Sequence, residues 1–161
     1  MRHSATFRAL LEDALTSGAA VRFRAEGASM YPTIRDGEII TVAAVSTDVV
    51  VVGDVLLCRQ GARVLAHRVA GVTGHGGARS FQLRGDAKSS CDEPVGASAV
   101  VGRVVSVHRN GRVVPLCGRA ARLRRAARAA ASRTRVFIAS TATALFAAVS
   151  GATTVVVVRR R

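Results

Sequence analysis

The sequence predicts a mainly β domain of antiparallel strands, with a short helix before it and a helix and an apolar segment after it. Three observations carry this prediction. Val-rich runs are repeatedly broken by Gly, which is frequent at 15 residues. Val, a β-branched residue that favours strands, is prominent in the apolar set. An Asn-Gly dipeptide, typical of a tight hairpin, joins two apolar runs near residue 110. The length of 161 residues suits one core with appendages.

Residues 1–18 are predicted to hold the short helix. Apolar residues recur at helical spacing from Phe7 to Ala14, and the segment 16–18 ends the pattern with Gly. The first 20 residues mix acids and bases and contain no long apolar stretch, so no secretory signal is expected there.

Residues 19–116 are predicted to form the β domain. Its strands combine period-two alternation, as in Val21 and Phe23 against Arg22 and Arg24, with Val-rich runs bounded by turn residues. In chain order we predict strands at 21–25, 39–45, 55–58, 64–70, 80–83, 98–108 and 112–116. A Gly-rich loop is expected at 71–79 and a polar loop at 84–94.

The C-terminal part differs sharply in composition. Residues 117–135 are an Arg/Ala-rich linker helix by pattern, and residues 136–158 form a stretch of 23 residues without a charge. About 20 apolar residues span a bilayer, so we expect a transmembrane helix here and membrane lipid as a partner. A helix buried against the domain or against another protein is the alternative.

The positive charge lies mostly in that tail. Ten arginines and no acid fall in residues 117–161, which leaves only four of the fourteen net positive charges for residues 1–116. A nucleic-acid partner is therefore not expected, because a nucleic-acid-binding domain more often carries its charge on the folded face.

The three cysteines, Cys58, Cys91 and Cys117, have neither a CxxC pair nor zinc spacing. No disulfide framework, metal or cofactor is expected. Cys58 lies in an apolar run and is interpreted as a small core residue.

Ser29 is the candidate nucleophile, in the segment 27–34 of sequence GASMYPTI. A serine hydroxyl needs a base within hydrogen-bond reach and donors for the oxyanion that forms. Gly27 allows a sharp turn and a close approach of a substrate backbone, and the N–H of Ser29 is a candidate oxyanion donor. Met30 is a candidate substrate-binding residue, since it is apolar and adjacent. The alternative is a serine that only caps the turn.

His67 is the candidate base. An imidazole titrates near neutral pH, with an ordinary pKa of about 6.5, whereas the guanidinium of Arg68 cannot give up its proton. The chain has one lysine, Lys88, which lies away from this strand. Alternation along the strand places His67 on the face shared by Leu65 and Val69. A structural histidine of the core is the alternative, and the remaining histidines are interpreted as solvated.

Asp86 and Asp92, six residues apart in the polar loop, are the candidate acids. One carboxylate accepting from the imidazole N–H would fix the tautomer and stabilise the imidazolium. The other could hold the loop. The sequence leaves open which of the two contacts His67, and turn capping is the alternative for both.

These segments together resemble type I signal peptidases. GASMYPTIRDGEII at 27–40 resembles the nucleophile box of that family, and the Gly-Asp-hydrophobic segment at 53–56 resembles a strand start of the family. His67-Arg68-Val69 resembles the branch with a histidine base, known from archaeal, endoplasmic-reticulum and some Gram-positive enzymes. The loop 83–92 resembles Gly-Asp-Asn-Asn-x-x-x-Asp, with Ala-Lys in place of the two amides.

The resemblance covers residues 21–107 and implies a fold of the signal-peptidase/LexA-like type. It also implies a serine endopeptidase that cleaves a signal or leader peptide, with a peptide or preprotein as substrate and small residues before the cleaved bond. Two alternatives stay open: a non-catalytic membrane-associated protein that retains the peptidase fold, and a LexA-like self-cleaving regulator.

The membrane is the predicted location, but the side that the catalytic domain faces stays open. Seven arginines precede the apolar stretch and three follow it, which favours a cytoplasmic linker and domain. Enzymes of the resembled family normally act on the outer face. Either the substrate is processed on the cytoplasmic side, or the segment inserts against its charge bias.

Overall fold

The computed structural model describes residues 5–61 and 63–118. One helix, α1 (Ala5–Thr16), precedes eight strands. The strands are β1 (Val21–Arg24), β2 (Ile39–Ala43), β3 (Val55–Gln60), β4 (Arg63–Thr73), β5 (Ser80–Arg84), β6 (Val95–Gly96), β7 (Val100–Arg109) and β8 (Arg112–Pro115). Short 3₁₀ turns lie at Thr47–Val49, Gly76–Ala78 and Ala97–Ala99.

All strands belong to one antiparallel sheet in the order β1-β2-β7-β3-β4-β5-β6, with β8 paired to β7. The predicted fold class, a mainly β antiparallel domain with a short N-terminal helix, is confirmed for the described residues. The predicted hairpin turn is confirmed as well: Asn110 and Gly111 both have positive φ, 50° and 71°, as a two-residue turn of this kind requires.

The observed strands differ from the predicted ones at several bounds, and one strand was not predicted. β4 runs on to Thr73, since Gly71 and Val72 pair with β5, so the Gly-rich loop begins later than expected. Residues 97–99 form a 3₁₀ turn, and β7 begins only at Val100. The two-residue strand β6 was not predicted, because a pairing so short leaves no period in the sequence.

β4 has two different partners along its length. It pairs with β3 through residues 63–68 and with β5 through residues 68–73. Within the described residues, the side of 63–67 that faces away from β3 has no strand neighbour. This open side ends at His67.

The core consists of two clusters. The first packs Leu11 and Leu15 of α1 against Ile40, and it also receives Met30 and Ile34 from the loop between β1 and β2. The second cluster contains Leu56, Val69, Phe81 and Leu83 of β3, β4 and β5. The loop that carries Ser29 is thus fixed to the sheet by its own apolar side chains.

Cys58 is a core residue as predicted: it is 1% exposed, and burial raises the pKa of its thiol to about 12. The predicted linker helix at 117–135 lies, apart from its first two residues, outside the described part of the chain. The expected transmembrane helix at 136–158 lies wholly outside it. Among the helices of the described residues, none has the length and hydropathy to cross a bilayer.

Candidate active site

Ser29 lies in the turn that follows β1. Gly27 has φ 95°, a left-handed conformation suited to glycine, and its N–H donates to Asp36 Oδ1 at 2.7 Å. Met30 is only 4% exposed and packs into the first core cluster, and Ile34 N–H donates to the Met30 carbonyl at 2.9 Å. These contacts hold the Ser29 hydroxyl at the surface of a rigid loop.

His67 points at Ser29 from the middle of β4. Its Nε2 lies 3.0 Å from Ser29 Oγ, and its side chain is completely buried. The register opposite Leu56 of β3 fixes the backbone, and strand alternation places His67 on the same face as the buried Val69. The geometry places a base within reach of a hydroxyl, as a nucleophile requires.

Asp92 contacts the other ring nitrogen of His67. Its Oδ2 is hydrogen-bonded to Nδ1, and an ionised carboxylate only accepts, so Nδ1 carries the proton. Nε2 is then free to accept from the Ser29 hydroxyl. Burial raises the pKa of Asp92, but hydrogen bonds from Lys88 and His67 outweigh it, and the net pKa lies below the ordinary value.

Asp86 binds a different partner. Arg68 donates to both of its carboxylate oxygens, from Nε to Oδ1 at 2.7 Å and from Nη2 to Oδ2 at 2.6 Å. The same guanidinium donates to the Gly53 carbonyl at 2.8 Å and to Thr33 Oγ1 at 3.2 Å. Of the two acids that the sequence left open, Asp92 therefore contacts the histidine, and Asp86 joins three loops through Arg68.

Gly85 was not singled out from the sequence, yet it packs directly on Ser29 and His67. A Cβ at this position would lie 2.6 Å from the Ser29 carbonyl oxygen and 3.1 Å from His67 Nε2. Next to it, Ala87 N–H donates to the same Ser29 carbonyl at 2.9 Å. The Gly-Asp pair in the loop was the available signal, but the sequence does not say what that glycine contacts.

Arg109 was also missed, and it holds the far end of the Ser29 loop. It donates to both oxygens of Glu38 and to the carbonyls of Pro32 and Thr33, at 3.3 and 3.1 Å. The hydrogen bond from Arg109 is the main reason that the pKa of Glu38 is lowered. Arg109 lies 71 residues from Glu38 in the chain, so no local pattern connects them.

The two candidate oxyanion and turn residues differ in what their N–H groups do. The N–H of Gly27 is already bonded to Asp36, so Gly27 serves the turn. Within the part of the chain that the structure describes, the N–H of Ser29 donates to no protein acceptor. Of the two N–H groups, that of Ser29 is therefore the one that an oxyanion could use.

A cleft opens beside Ser29, between the end of β1 and the open side of β4. Its cavity of about 70 Å³ is lined by apolar side chains of both core and strands, with Arg24 and Glu26 on its polar side. Met30 contributes to the lining although most of its surface is buried. The floor includes Ile40, Leu57 and Ala66.

His75 is exposed as expected. The interpretation of His108 as solvated is wrong: it is half-buried, with Arg22 at Nδ1 and Thr41 at Nε2, both at 3.1 Å. In residues 5–61 and 63–118 no group of three or more His, Cys, Asp or Glu side chains is arranged to hold a metal.

Comparison with known proteins adds no assignment to this site. No protein-family model matches the chain, and no curated protein matches it either.

Proposed function

We propose that the protein is a serine endopeptidase, similar to type I signal peptidases of the serine–histidine branch, that cleaves a signal or leader peptide. The observation that carries this proposal is the hydrogen-bonded series Ser29–His67–Asp92. Its members come from three separate segments: the loop after β1, the middle of β4 and the loop after β5. A nucleophile, a base and an acid in this order are the working parts of acyl transfer in serine hydrolases.

The proposed reaction uses His67 with its proton on Nδ1 and its Nε2 free to accept. Nε2 of His67 accepts the Ser29 hydroxyl proton while Oγ bonds to the peptide carbonyl carbon, and the carbonyl oxygen becomes an oxyanion near the Ser29 N–H. The imidazolium then gives its proton to the leaving amine, and the C–N bond breaks. Water, deprotonated by the same Nε2, hydrolyses the acyl-serine ester and restores the hydroxyl. Asp92 stabilises the imidazolium in both halves.

The cleft beside Ser29 supports a peptide as the substrate. An extended peptide can pair its main chain with the open side of β4 at 63–67, because strand addition to an unpaired edge supplies hydrogen bonds that do not depend on sequence. The cavity beside Ser29 is small, about 70 Å³. It suits small side chains next to the cleaved bond, as in the resembled family.

Membrane association is part of the proposal and is supported by the uncharged stretch at 136–158. The side of the membrane on which the domain acts stays open, since the arginine bias around the stretch and the usual topology of the resembled family point in opposite directions. Accessibility of the folded domain to an added protease in sealed vesicles decides between them.

The test is cleavage of a fluorogenic peptide with small residues before the scissile bond by the purified full chain in detergent. Ser29→Ala is expected to lower kcat/KM by at least about 10³-fold, because it removes the attacking atom. A fluorophosphonate probe should label the native chain at Ser29. Ser17→Ala, at the exposed end of α1, is the matched control and should cleave like the native chain. Undiminished cleavage by Ser29→Ala contradicts the proposal.

A further inference from the structure

Lys88 is the single lysine of the chain, and it touches the candidate acid. Its ammonium lies 3.0 Å from Asp92 Oδ1, while Oδ2 of the same carboxylate binds His67 Nδ1. One carboxylate therefore bridges a cation and the imidazole. The proposed mechanism uses the imidazole side of this bridge and gives no role to the lysine.

The main chains on both sides of the Lys88–Asp92 contact are fixed. Lys88 N–H donates to the Gly85 carbonyl at 3.0 Å, and Ala87 N–H before it donates to the Ser29 carbonyl. Asp92 N–H donates to the Leu83 carbonyl at 2.8 Å. Most exposed lysine–carboxylate pairs contribute little because both side chains are mobile. Here the Lys88 side chain is 44% exposed, but that of Asp92 is only 15% exposed and already bound to His67.

The remaining charges near His67 are mostly compensated. Arg68, which follows His67 on β4, is neutralised by Asp86 of the loop after β5. Behind β3, Arg103 lies 3.4 Å from the buried Asp54. Arg24 and Glu26 line the cleft, Arg84 is exposed at the end of β5, and Glu93, next to Asp92, is also exposed.

Lys88 also bears on the ionisation of Asp92. Burial raises the pKa of this carboxyl, and the hydrogen bond from Lys88 is the largest of the effects that lower it. The hydrogen bond and charge of His67 act in the same direction. The lysine thus helps to keep Asp92 ionised, and it shares the negative charge that the imidazole would otherwise face alone.

We propose that Lys88 is a positioning residue for the Ser29–His67–Asp92 series, and this inference rests on the proposed function. It binds the second oxygen of Asp92, holds the carboxylate against Nδ1, and offsets part of its charge. A carboxylate without this partner would stabilise the imidazolium more strongly. Lys88 therefore offsets part of the negative charge that would otherwise hold the proton on His67.

The first test is the pH profile of kcat/KM for Lys88→Met. Loss of the cation should move the acid limb of the profile to higher pH by about half a unit, a modest shift because the lysine is partly solvated. Lys88→Arg keeps the charge and should restore the native profile. Arg112→Gln, which removes an exposed cation from the β7–β8 hairpin, is the matched control and should leave the limb in place.

An unchanged acid limb in Lys88→Met, or a shift to lower pH, overturns the inference. A purely structural role would lower the rate at every pH and would not move the limb. Unfolding temperatures measured alongside identify any variant that has lost its fold, and Lys88→Gln then replaces Lys88→Met.

A second readout needs no peptidase activity. In the Ser29→Ala background, the His67 imidazole signals are followed by NMR across pH and assigned by their loss in His67→Gln. Lys88→Met should move their titration midpoint to higher pH. If the midpoint moves but no peptide is cleaved by the native chain, the peptidase proposal fails and the positioning role stands. If peptide is cleaved and the midpoint stays, the positioning role fails alone.

Discussion

The two aspartates of the loop after β5 lie six residues apart and do different things. Asp92 binds His67 and Lys88, next to Ser29. Asp86 forms a bidentate pair with Arg68, whose other donors reach Gly53 and Thr33. The difference originates in β4: His67 and Arg68 are neighbours in the chain, so their side chains leave opposite faces of the strand.

One short segment therefore holds an aspartate that binds His67 and an aspartate that binds the loops together through Arg68. The acid on the His67 face completes the hydrogen-bonded series Ser29–His67–Asp92. The acid on the Arg68 face ties the Ser29 loop, the turn before β3 and its own loop together. Substitutions at the two positions should therefore differ in kind, with activity lost at one and stability lost at the other.

The largest expected effect is at Asp92. Asp92→Asn leaves the shape of the loop but removes the negative charge, and its amide NH2 can donate to His67 Nδ1 and favour the wrong tautomer, so kcat/KM should fall by about 10²- to 10⁴-fold. The unfolding temperature should change little. Steady-state kinetics and thermal unfolding of the same preparation check both parts. A loss below tenfold would show that His67 keeps its tautomer without Asp92.

A substitution at Gly85, next to Asp86, tests whether this end of the loop also affects activity. Gly85→Ala should lower kcat/KM by about 10- to 100-fold, because the new Cβ would press on the Ser29 carbonyl and His67 Nε2 and displace them. Gly96→Ala is the control, since that glycine has φ −73° and no neighbour within 4 Å of an added Cβ. If both variants were equally active, the loop would accommodate the added Cβ without displacing Ser29 or His67, and the prediction would be wrong.

Asp86→Asn should act mainly on stability. It leaves the partly buried Arg68 guanidinium without its carboxylate, which should cost about 1–3 kcal/mol of unfolding free energy. Activity should fall less than in Asp92→Asn, through a loosened Ser29 loop. Chemical denaturation measures the first effect. In Arg68→Gln/Asp86→Asn the two losses should be less than additive, and strict additivity would contradict a direct coupling.

The smallest expected effect is the acid dependence of stability. Asp92 and Glu38 have lowered pKa values in the folded protein, for the reasons given above. The unfolded chain then binds more protons than the folded protein as these two carboxyls titrate. Their contribution to the free energy of unfolding is therefore fully present above roughly pH 5 and is lost as pH falls below about 4. Asp92→Asn and Glu38→Gln should each flatten that loss by about 1 kcal/mol or less. Denaturation series between pH 3 and pH 6 measure it.

The fold class and the Ser29–His67 pairing were accessible from sequence for physical reasons. Alternation of Val21 and Phe23 against arginines, and the Asn110-Gly111 turn, are local signals that the sheet preserves. The motif segments 27–34 and 64–69 lie in loops and strands whose order was predicted. Each segment is a local run of residues, so it could be found in the sequence although Ser29 and His67 lie 38 positions apart.

The parts that the sequence did not reveal depend on distant contacts. Which aspartate meets His67 is decided by the path of a loop around β5, and the loop has no periodicity to indicate it. Arg109 reaches Glu38 and the Thr33 carbonyl only because β7 pairs with β2. The role of Gly85 is a steric one, visible only when Ser29 and His67 are in place.

The open side of β4 has a consequence for which peptides the proposed enzyme can cut. A main-chain edge selects conformation before it selects side chains, since only an extended segment can present its N–H and C=O groups to it. A helical cleavage segment would have to unwind first, and a proline at a bonding position would interrupt the pairing. The rate at which a precursor is processed would then be set in part by how readily its cleavage segment unfolds.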